Sequence, residues 1–175
     1  LIMGAGSIGL CILAAAKAMG MKKIVVCATT EKRLKIAKKM GASYTIATKE
    51  QNLIEEMKKI HPNGTDVVID ATGIEECIQQ SLKLARKGGT VALAGYGRGK
   101  MMNIRIDDIH VNNLRVVGAG NNWNQHKKAV TLMADGLVDI EHFATDLIQI
   151  EEYEKGLELA RRRPEGFVKA VFCYE

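Results

Sequence analysis

The sequence predicts an α/β fold with a doubly wound parallel sheet. Apolar strand-like runs alternate along the chain with helix-like stretches of roughly 10–14 residues, which is the order that βαβ units produce. The strand-like runs carry continuous rather than alternating apolar residues, as expected of strands that are covered by helices on both faces. A glycine-rich turn follows the first of these runs, as it does in many nucleotide-binding sheets of this class.

Three of the predicted helices have a local reason to end. The second closes at Gly41, the third stops before Pro62, and the fourth is ended by Gly88 and Gly89, all residues that interrupt helices. The predicted strands are 1–3, 23–28, 44–47, 67–70, 90–94 and 114–117, and the predicted helices are 7–19, 31–40, 51–60 and 74–85, with a helical turn at 106–111.

The alternation changes after Gly120. Helices are predicted at 124–134 and 150–162, and strands at 143–148 and 167–173. We therefore expect a first domain over residues 1–120 and a separate C-terminal segment over residues 121–175.

Composition excludes several classes of function. The net charge of +5 is spread over helical stretches in which Lys and Arg alternate with Glu, and aromatic residues are only 5% of the chain, so nucleic acid is not an expected partner. No apolar run approaches the roughly 18 residues that span a bilayer, so no membrane association is expected. The chain begins inside an apolar run without a methionine, which suggests part of a longer, cytoplasmic protein.

Cysteine and histidine do not predict a metal site. The four cysteines, Cys11, Cys27, Cys77 and Cys173, are scattered in apolar stretches and are expected to be buried, reduced side chains. The four histidines are equally dispersed, with no pairing at helical spacing, so no metal ligand is predicted in this chain.

The turn after the first strand, Gly4-Ala5-Gly6-Ser7-Ile8-Gly9, fits the pattern GxGxxG. The first glycine turns the chain tightly, the second lets a pyrophosphate approach the backbone, and the third lets the helix pack on the strand. The helix that begins at Ser7 offers the free N–H groups of Ser7 and Ile8 and its positive dipole end to the phosphates. The sequence thus predicts a dinucleotide-binding Rossmann fold.

The end of the second strand lacks the acidic residue that usually binds the ribose hydroxyls of NAD. Ala28 stands there, followed by Thr29 and Thr30, and Lys32 and Arg33 come next. The two hydroxyls and either cation suit a 2′-phosphate, although Lys32 and Arg33 also suit a solvated helix surface. We expect NADP in preference to NAD, with NAD still possible.

Together the motifs resemble the coenzyme half of the medium-chain dehydrogenase/reductase family, in its zinc-dependent alcohol and polyol dehydrogenase branch. The resemblance spans essentially the whole chain and rests on the segments GAGSIGL (4–10), EKRLKIAKKMGA (31–42), TDVVIDATG (65–73), RKGGTVALAGYG (86–97), NNLRVVGAG (112–120) and GFVKAVF (166–172). The zinc-free quinone-reductase branch is less similar, because its turn usually lacks the full GxGxxG.

The resemblance implies further cofactor contacts, each of which also has a purely structural explanation such as ending a strand. The implied contacts are Thr72 and Gly73 beside the adenosine, Ala94, Gly95 and Tyr96 beside the nicotinamide, Gly118 and Ala119 near its carboxamide, Lys169 at the pyrophosphate, and Arg33 at the adenosine ribose.

The resemblance also implies what this chain lacks. In the family, the catalytic zinc ligands and the proton relay come mainly from an N-terminal catalytic domain, and residues 121–175 resemble the tail that returns to complete it. We therefore expect no catalytic residue here, no turnover by this chain alone, zinc only in the full-length parent, a small alcohol or polyol substrate, and a homodimer or homotetramer. A non-catalytic NAD(P)-binding module, a zinc-free reductase of the same superfamily and a methyltransferase-type nucleotide fold are the alternatives, although Ala28 argues against the last.

Overall fold

The computed structural model describes residues 1–120, 123–138, 142 and 144–174, and its largest feature is a six-stranded sheet. Its strands are β1 (Ile2–Met3), β2 (Val25–Ala28), β3 (Tyr44–Ala47), β4 (Thr65–Asp70), β5 (Ala85–Leu93) and β6 (Arg115–Gly118). They lie in the order β3-β2-β1-β4-β5-β6, and every neighbouring pair is parallel. This is the order of a doubly wound dinucleotide-binding sheet, so the predicted fold class is confirmed.

Helices cover both faces of the sheet. Those that do so with buried side chains are α1 (Ser7–Ala18), α2 (Glu31–Lys39), α3 (Leu53–Ile60) and α4 (Glu75–Leu84). The remaining helices of the described residues are α5 (Asp107–Val111), α6 (His126–Ala134) and α7 (Tyr153–Arg162). Buried side chains of α1 and α2 form one core cluster, and those of α3 and α4 form a second. No helix within the described residues is long and apolar enough to cross a membrane.

Successive residues of the central strands pack alternately into the two core clusters. Ile2 and Val26 belong to the cluster of α1 and α2, whereas Met3, Val25 and Cys27 belong to the cluster of α3 and α4. All five are almost completely buried. Because adjacent side chains point to opposite faces of a strand, a sheet covered on both faces needs apolar residues at every position, as the sequence has.

The start of β5 differs from its prediction. Helix α4 ends at Leu84, and β5 begins immediately at Ala85, so that Gly88 and Gly89 lie within the strand instead of ending the helix. Ala85 pairs with Thr65 of β4, and the register then shifts before the regular ladder begins. This long-range pairing, which local sequence does not reveal, extends the strand. The other predicted boundaries in residues 1–120 differ from the observed ones by no more than two residues.

The C-terminal segment forms a second, two-stranded parallel sheet of β7 (Asp146–Gln149) and β8 (Ala170–Cys173), with α7 between its strands. Each helix of the segment is preceded by a 3₁₀ turn, at Trp123–Gln125 and Ile150–Glu152, where continuous helices were predicted. Phe143, the first residue of a predicted strand, lies outside the described residues. Val168 packs into the core cluster of α1 and α2, so the segment lies against that face of the large sheet.

Candidate functional site

The site is built around the turn that joins β1 to α1. Gly4 has a φ of +103°, in the region that favours glycine, and its N–H donates to the carbonyl oxygen of Cys27 at 2.8 Å. A Cβ on Gly9 would overlap the carbonyl oxygen of Gly4, whereas a Cβ on Gly6 would meet no atom within 4 Å. Gly4 thus makes the turn, Gly9 permits close contact between helix and turn, and Gly6 faces open space.

The first turn of α1 leaves backbone donors for an external acceptor. Gly6 is its N-cap residue and has no side chain that can accept from the N–H groups of Ser7 and Ile8, and there is no acidic residue in the first turn. Ser7 is half-buried and Ile8 is exposed. An anion placed at Gly6 would meet these donors and the positive end of the helix dipole, which is the arrangement that binds phosphate groups.

A cleft of about 560 Å³ opens beside this turn at the carboxyl ends of β1, β2 and β4. Its volume lies within the range of small-molecule pockets. It is lined by Met3, Gly4, Ala5, Gly6, Cys27, Ala28, Thr29, Thr30, Arg33, Thr48, Leu53, Ala71, Thr72, Ile74, Glu76, Cys77, Gln80 and Arg163. The cleft brings together the glycine turn, the end of the second strand and Thr72, three features that the sequence had pointed to separately.

The end of β2 contributes neutral groups to the cleft. Ala28, Thr29 and Thr30 all line it, and the Thr30 side chain does not cap α2 although Thr30 is its N-cap residue. Glu31, the nearest acidic residue in sequence, does not line the cleft but forms an exposed ion pair with Lys35 at 3.6 Å. The end of β2 therefore adds two hydroxyl-bearing residues, and no carboxylate, to the lining of the cleft.

Of the two cations that follow this strand, only Arg33 lines the cleft. Its Nε and Nη2 donate to the carbonyl oxygen of Phe167 at 3.1 and 2.7 Å, which leaves the remaining guanidinium N–H groups for another acceptor. Lys32 instead forms an exposed ion pair with Glu165 at 3.6 Å. The structure thus favours Arg33 over Lys32 as the source of positive charge at this end of the cleft.

Asp70 organises the turn after β4, and sequence reasoning did not single it out. Its carboxylate is fully buried and accepts from the Thr72 N–H at 3.0 Å, the Thr72 hydroxyl at 2.6 Å and the Gly73 N–H at 3.0 Å. These donors compensate for the burial of the carboxylate, because burying a polar group is costly only when it lacks partners. An acidic residue at the end of an otherwise apolar strand was the available signal.

The residues expected near a nicotinamide lie farther along the same edge of the sheet, outside the cleft. Ala94 and Gly95 follow β5, and both of their N–H groups donate to the carbonyl oxygen of Asp70 at 2.8 Å. A Cβ on Gly95 would overlap the Gly73 nitrogen, so this position needs glycine for close backbone packing. Tyr96 is 81% exposed. Gly118 ends β6, and the next residue, Ala119, donates its N–H to Leu93 at 2.9 Å.

Lys169 lines a second cavity, of about 380 Å³, which shares Gly6, Arg33 and Arg163 with the cleft and also contains Ser7. Lys169 is exposed and immediately precedes β8 rather than lying within it. It therefore lies near the N-terminus of α1, in the same cavity as Gly6 and Ser7. Arg163, which was not among the predicted site residues, is the other residue that this region adds.

The thiols have different environments. Cys27 is buried and lines the cleft, and burial raises its pKa to about 12, so this thiol is protonated at neutral pH. Cys11 is exposed, contrary to the expectation of a buried side chain, because it lies on the outer face of α1. Within the described ranges, no group of three or more His, Cys, Asp or Glu residues is arranged to hold a metal ion.

Sequence comparisons with known proteins find a matching family and similar curated relatives. Residues 7–135 match the family model described as zinc-binding dehydrogenase. The sorbitol dehydrogenase of Bacillus subtilis (strain 168) is 34% identical over 160 residues, which cover 91% of this chain and 45% of the relative. The chain thus spans about half the length of the curated relatives that it matches.

Two solved structures with bound cofactors share the fold. A zinc-binding dehydrogenase of Sinorhizobium meliloti 1021 bound to NADP has a TM-score of 0.84 and 26% identity, covering 98% of this chain and 50% of that one. A short chain alcohol dehydrogenase of Escherichia coli CFT073 complexed with NADH has a TM-score of 0.89 and 21% identity, covering 99% and 51%.

Proposed function

Because the chain belongs to the zinc-binding dehydrogenase family, we propose that it is the cofactor-binding portion of an oxidoreductase that uses a nicotinamide dinucleotide. The proposed reaction transfers hydride between NADP(H), in preference to NAD(H), and an alcohol or polyol or its carbonyl. The bound cofactor supplies the redox chemistry at its nicotinamide, while the protein binds and orients it. The observation that supports this most is the open space at Gly6, beside the free N–H groups of α1.

In this proposal the site residues divide along the length of the cofactor. The glycine turn and the N-terminus of α1 hold the pyrophosphate, with Lys169 beside them. The end of β2 and Thr72 face the adenosine half, because both line the cleft beside the turn. A parallel sheet of this kind binds its ligand outside the carboxyl ends of its strands. The segments after β5 and β6 lie next along that edge, and we assign the nicotinamide half of the cofactor to them.

The preference for NADP follows from the neutral end of β2. A carboxylate at position 28 would stand against a 2′-phosphate, and two like charges about 4 Å apart repel by about 4 kcal/mol at an effective dielectric near 20. Without that carboxylate, NAD loses one charged hydrogen bond to its ribose, which is worth about 1.5–3 kcal/mol. Ala28 therefore allows NADP to bind and only weakens the binding of NAD, while Arg33 supplies a cation for the 2′-phosphate.

The proposal assigns zinc chemistry to another part of the parent enzyme. The described residues of this chain contain no group of three potential ligands, and the relatives are about twice as long as the segment they share with it. We therefore propose that the metal ligands, the proton relay and most of the substrate pocket are supplied by residues that this chain does not span.

Cofactor titration tests the proposal. We expect the fluorescence of bound NADPH to give a dissociation constant at least about tenfold below that of NADH. Ala28→Asp should raise the dissociation constant of NADPH by at least about tenfold and lower that of NADH, because the new carboxylate repels the 2′-phosphate and binds the ribose hydroxyls.

Ala28→Asn is the matched control, because it has the size of the aspartate without its charge, and it should keep the preference for NADPH. Tighter binding of NADH by the unchanged chain would refute the NADP preference. Failure to bind either dinucleotide would refute the proposed function as a whole.

A further inference from the structure

We propose that Arg163, in the C-terminal segment, is a second cation that recognises the 2′-phosphate of NADP, acting with Arg33 of α2. This inference rests on the proposed function and adds to it a specificity residue from outside the glycine turn and the second strand. It depends on where the fold places Arg163, on the charges around it and on its unused hydrogen-bond donors.

The fold brings Arg163 to the same cleft as the end of β2. Arg163 is more than 100 residues from that strand in sequence, yet it lines the cleft together with Ala28, Thr29, Thr30 and Arg33. It also lines the adjoining cavity that contains Gly6. It therefore lies where the adenosine side of the cleft meets the glycine turn.

The backbone at Arg163 has an unusual conformation for an arginine. As the C-cap residue of α7, Arg163 has φ +47° and ψ +60°, the left-handed region in which glycine usually ends a helix. The chain then returns through Phe167, whose carbonyl oxygen accepts from Arg33. One short loop therefore both presents the Arg163 side chain and holds the Arg33 guanidinium.

Two cations near Arg163 are paired with carboxylates, but Arg163 is not. Arg162 pairs with Glu158 at 2.6 Å, and Lys32 pairs with Glu165 at 3.6 Å. Among the described residues no carboxylate lies within 4 Å of the Arg163 guanidinium, whose contact is a long hydrogen bond from Nε to the Ala160 carbonyl oxygen at 3.4 Å. Most of its donors therefore remain available to a ligand.

The charges that line the two cavities favour an anion between Arg33 and Arg163. Arg33 and Arg163 line both cavities, and Lys169 adds a third cation to the smaller one, where none of the described lining residues is acidic. Glu76 is the acidic residue of the larger cleft, and it belongs to α4, on the opposite face of the sheet from α2. Guanidinium groups gathered without carboxylates are typical of phosphate recognition, because an anion relieves their mutual repulsion.

The test compares Arg163→Ala with Arg162→Ala, a change of the adjacent exposed arginine whose charge is already paired. We expect Arg163→Ala to raise the dissociation constant of NADPH by at least about tenfold and to change that of NADH by less than about twofold. Arg162→Ala should leave both constants within about twofold of those of the unchanged chain.

Arg163→Gly is a second variant that removes the side chain without straining the backbone, because glycine readily adopts the positive φ at this position. It should keep the melting temperature of the unchanged chain and show the same selective loss of NADPH affinity. Suppose that the unchanged chain prefers NADPH. If both Arg163 variants keep that preference, or if both lose affinity for NADPH and NADH equally, Arg163 does not recognise the 2′-phosphate, while the proposed function still stands. A chain that prefers NADH would refute the NADP preference and this inference with it.

Discussion

Two ionisable residues at the ends of central strands are buried for different reasons. Asp70 ends β4 and has three hydrogen-bond donors, from Thr72 and Gly73, around its carboxylate. Cys27 lies near the end of β2 and packs as an apolar side chain in the cluster of α3 and α4. The first is a polar group that shapes the turn beside the cleft, and the second is a protonated thiol that fills the core.

Stability at alkaline pH should depend on Cys27. Burial raises the pKa of this thiol from 9.0 to about 12, so only the unfolded chain ionises it between these values. Its contribution to stability is therefore fully present below about pH 9 and decreases above it, by up to about 1.4 kcal/mol per pH unit. Urea unfolding at about pH 8 and pH 10 should show the unchanged chain losing stability relative to Cys27→Val, which cannot ionise. Parallel pH dependence of the two proteins would contradict this explanation.

At the scale of elements, the link between β1 and α1 combines two glycines with opposite requirements. Gly9 is packed against the turn, and a Cβ there would overlap the Gly4 carbonyl oxygen. Gly6 has an extended backbone with φ −79° and open space around it. The fold thus needs glycine at position 9, whereas at position 6 we infer that the ligand needs it.

Alanine at each position should separate these requirements. Gly6→Ala should keep the stability of the unchanged chain but raise the dissociation constants of NADPH and NADH by at least about tenfold, because its Cβ occupies space needed by the pyrophosphate. Gly9→Ala should lower the free energy of unfolding by about 1–3 kcal/mol, because α1 must move away from the turn. Chemical denaturation and cofactor titration of the pair measure both effects. A Gly6→Ala chain that binds both cofactors normally would show that no phosphate approaches this backbone.

At the scale of the whole molecule, the sheet has one edge suited to association. Strand β6 is exposed along its length, and no strand within the described part of the chain pairs with its outer edge. Val116 and Val117 add exposed apolar surface there. Unpaired strand edges of this kind readily pair with another chain, and we propose that two copies join their sheets at β6 in a homodimer, alone or within a homotetramer.

Charges at this edge should weaken the proposed dimer. Sedimentation velocity of the protein should show a dimer or tetramer, and Val116→Lys with Val117→Lys should raise the dissociation constant of the β6 contact by at least about tenfold, because two-fold symmetry brings like charges together. Tyr44→Lys is the matched control, because Tyr44 is an exposed residue on β3 at the opposite edge of the sheet. A monomeric protein, or equal effects of the two changes, would exclude the β6 dimer.

The sequence by itself determined the order of the elements and the position of the glycine turn. Continuous apolar runs identified the strands, and Gly41 and Pro62 marked the ends of two helices, because these signals act within a few residues of one another. The neutral residue at the end of β2 was equally visible, since the glycine pattern places that strand about 20 residues downstream.

Only the tertiary structure decided which distant groups share the site. It brought Arg163 to the end of β2, joined Arg33 to Phe167 and began β5 at Ala85. Each of these depends on pairing or packing between segments far apart in the chain. Local propensity contains no information about such contacts, because their geometry exists only once the sheet has assembled and its helices have packed against it.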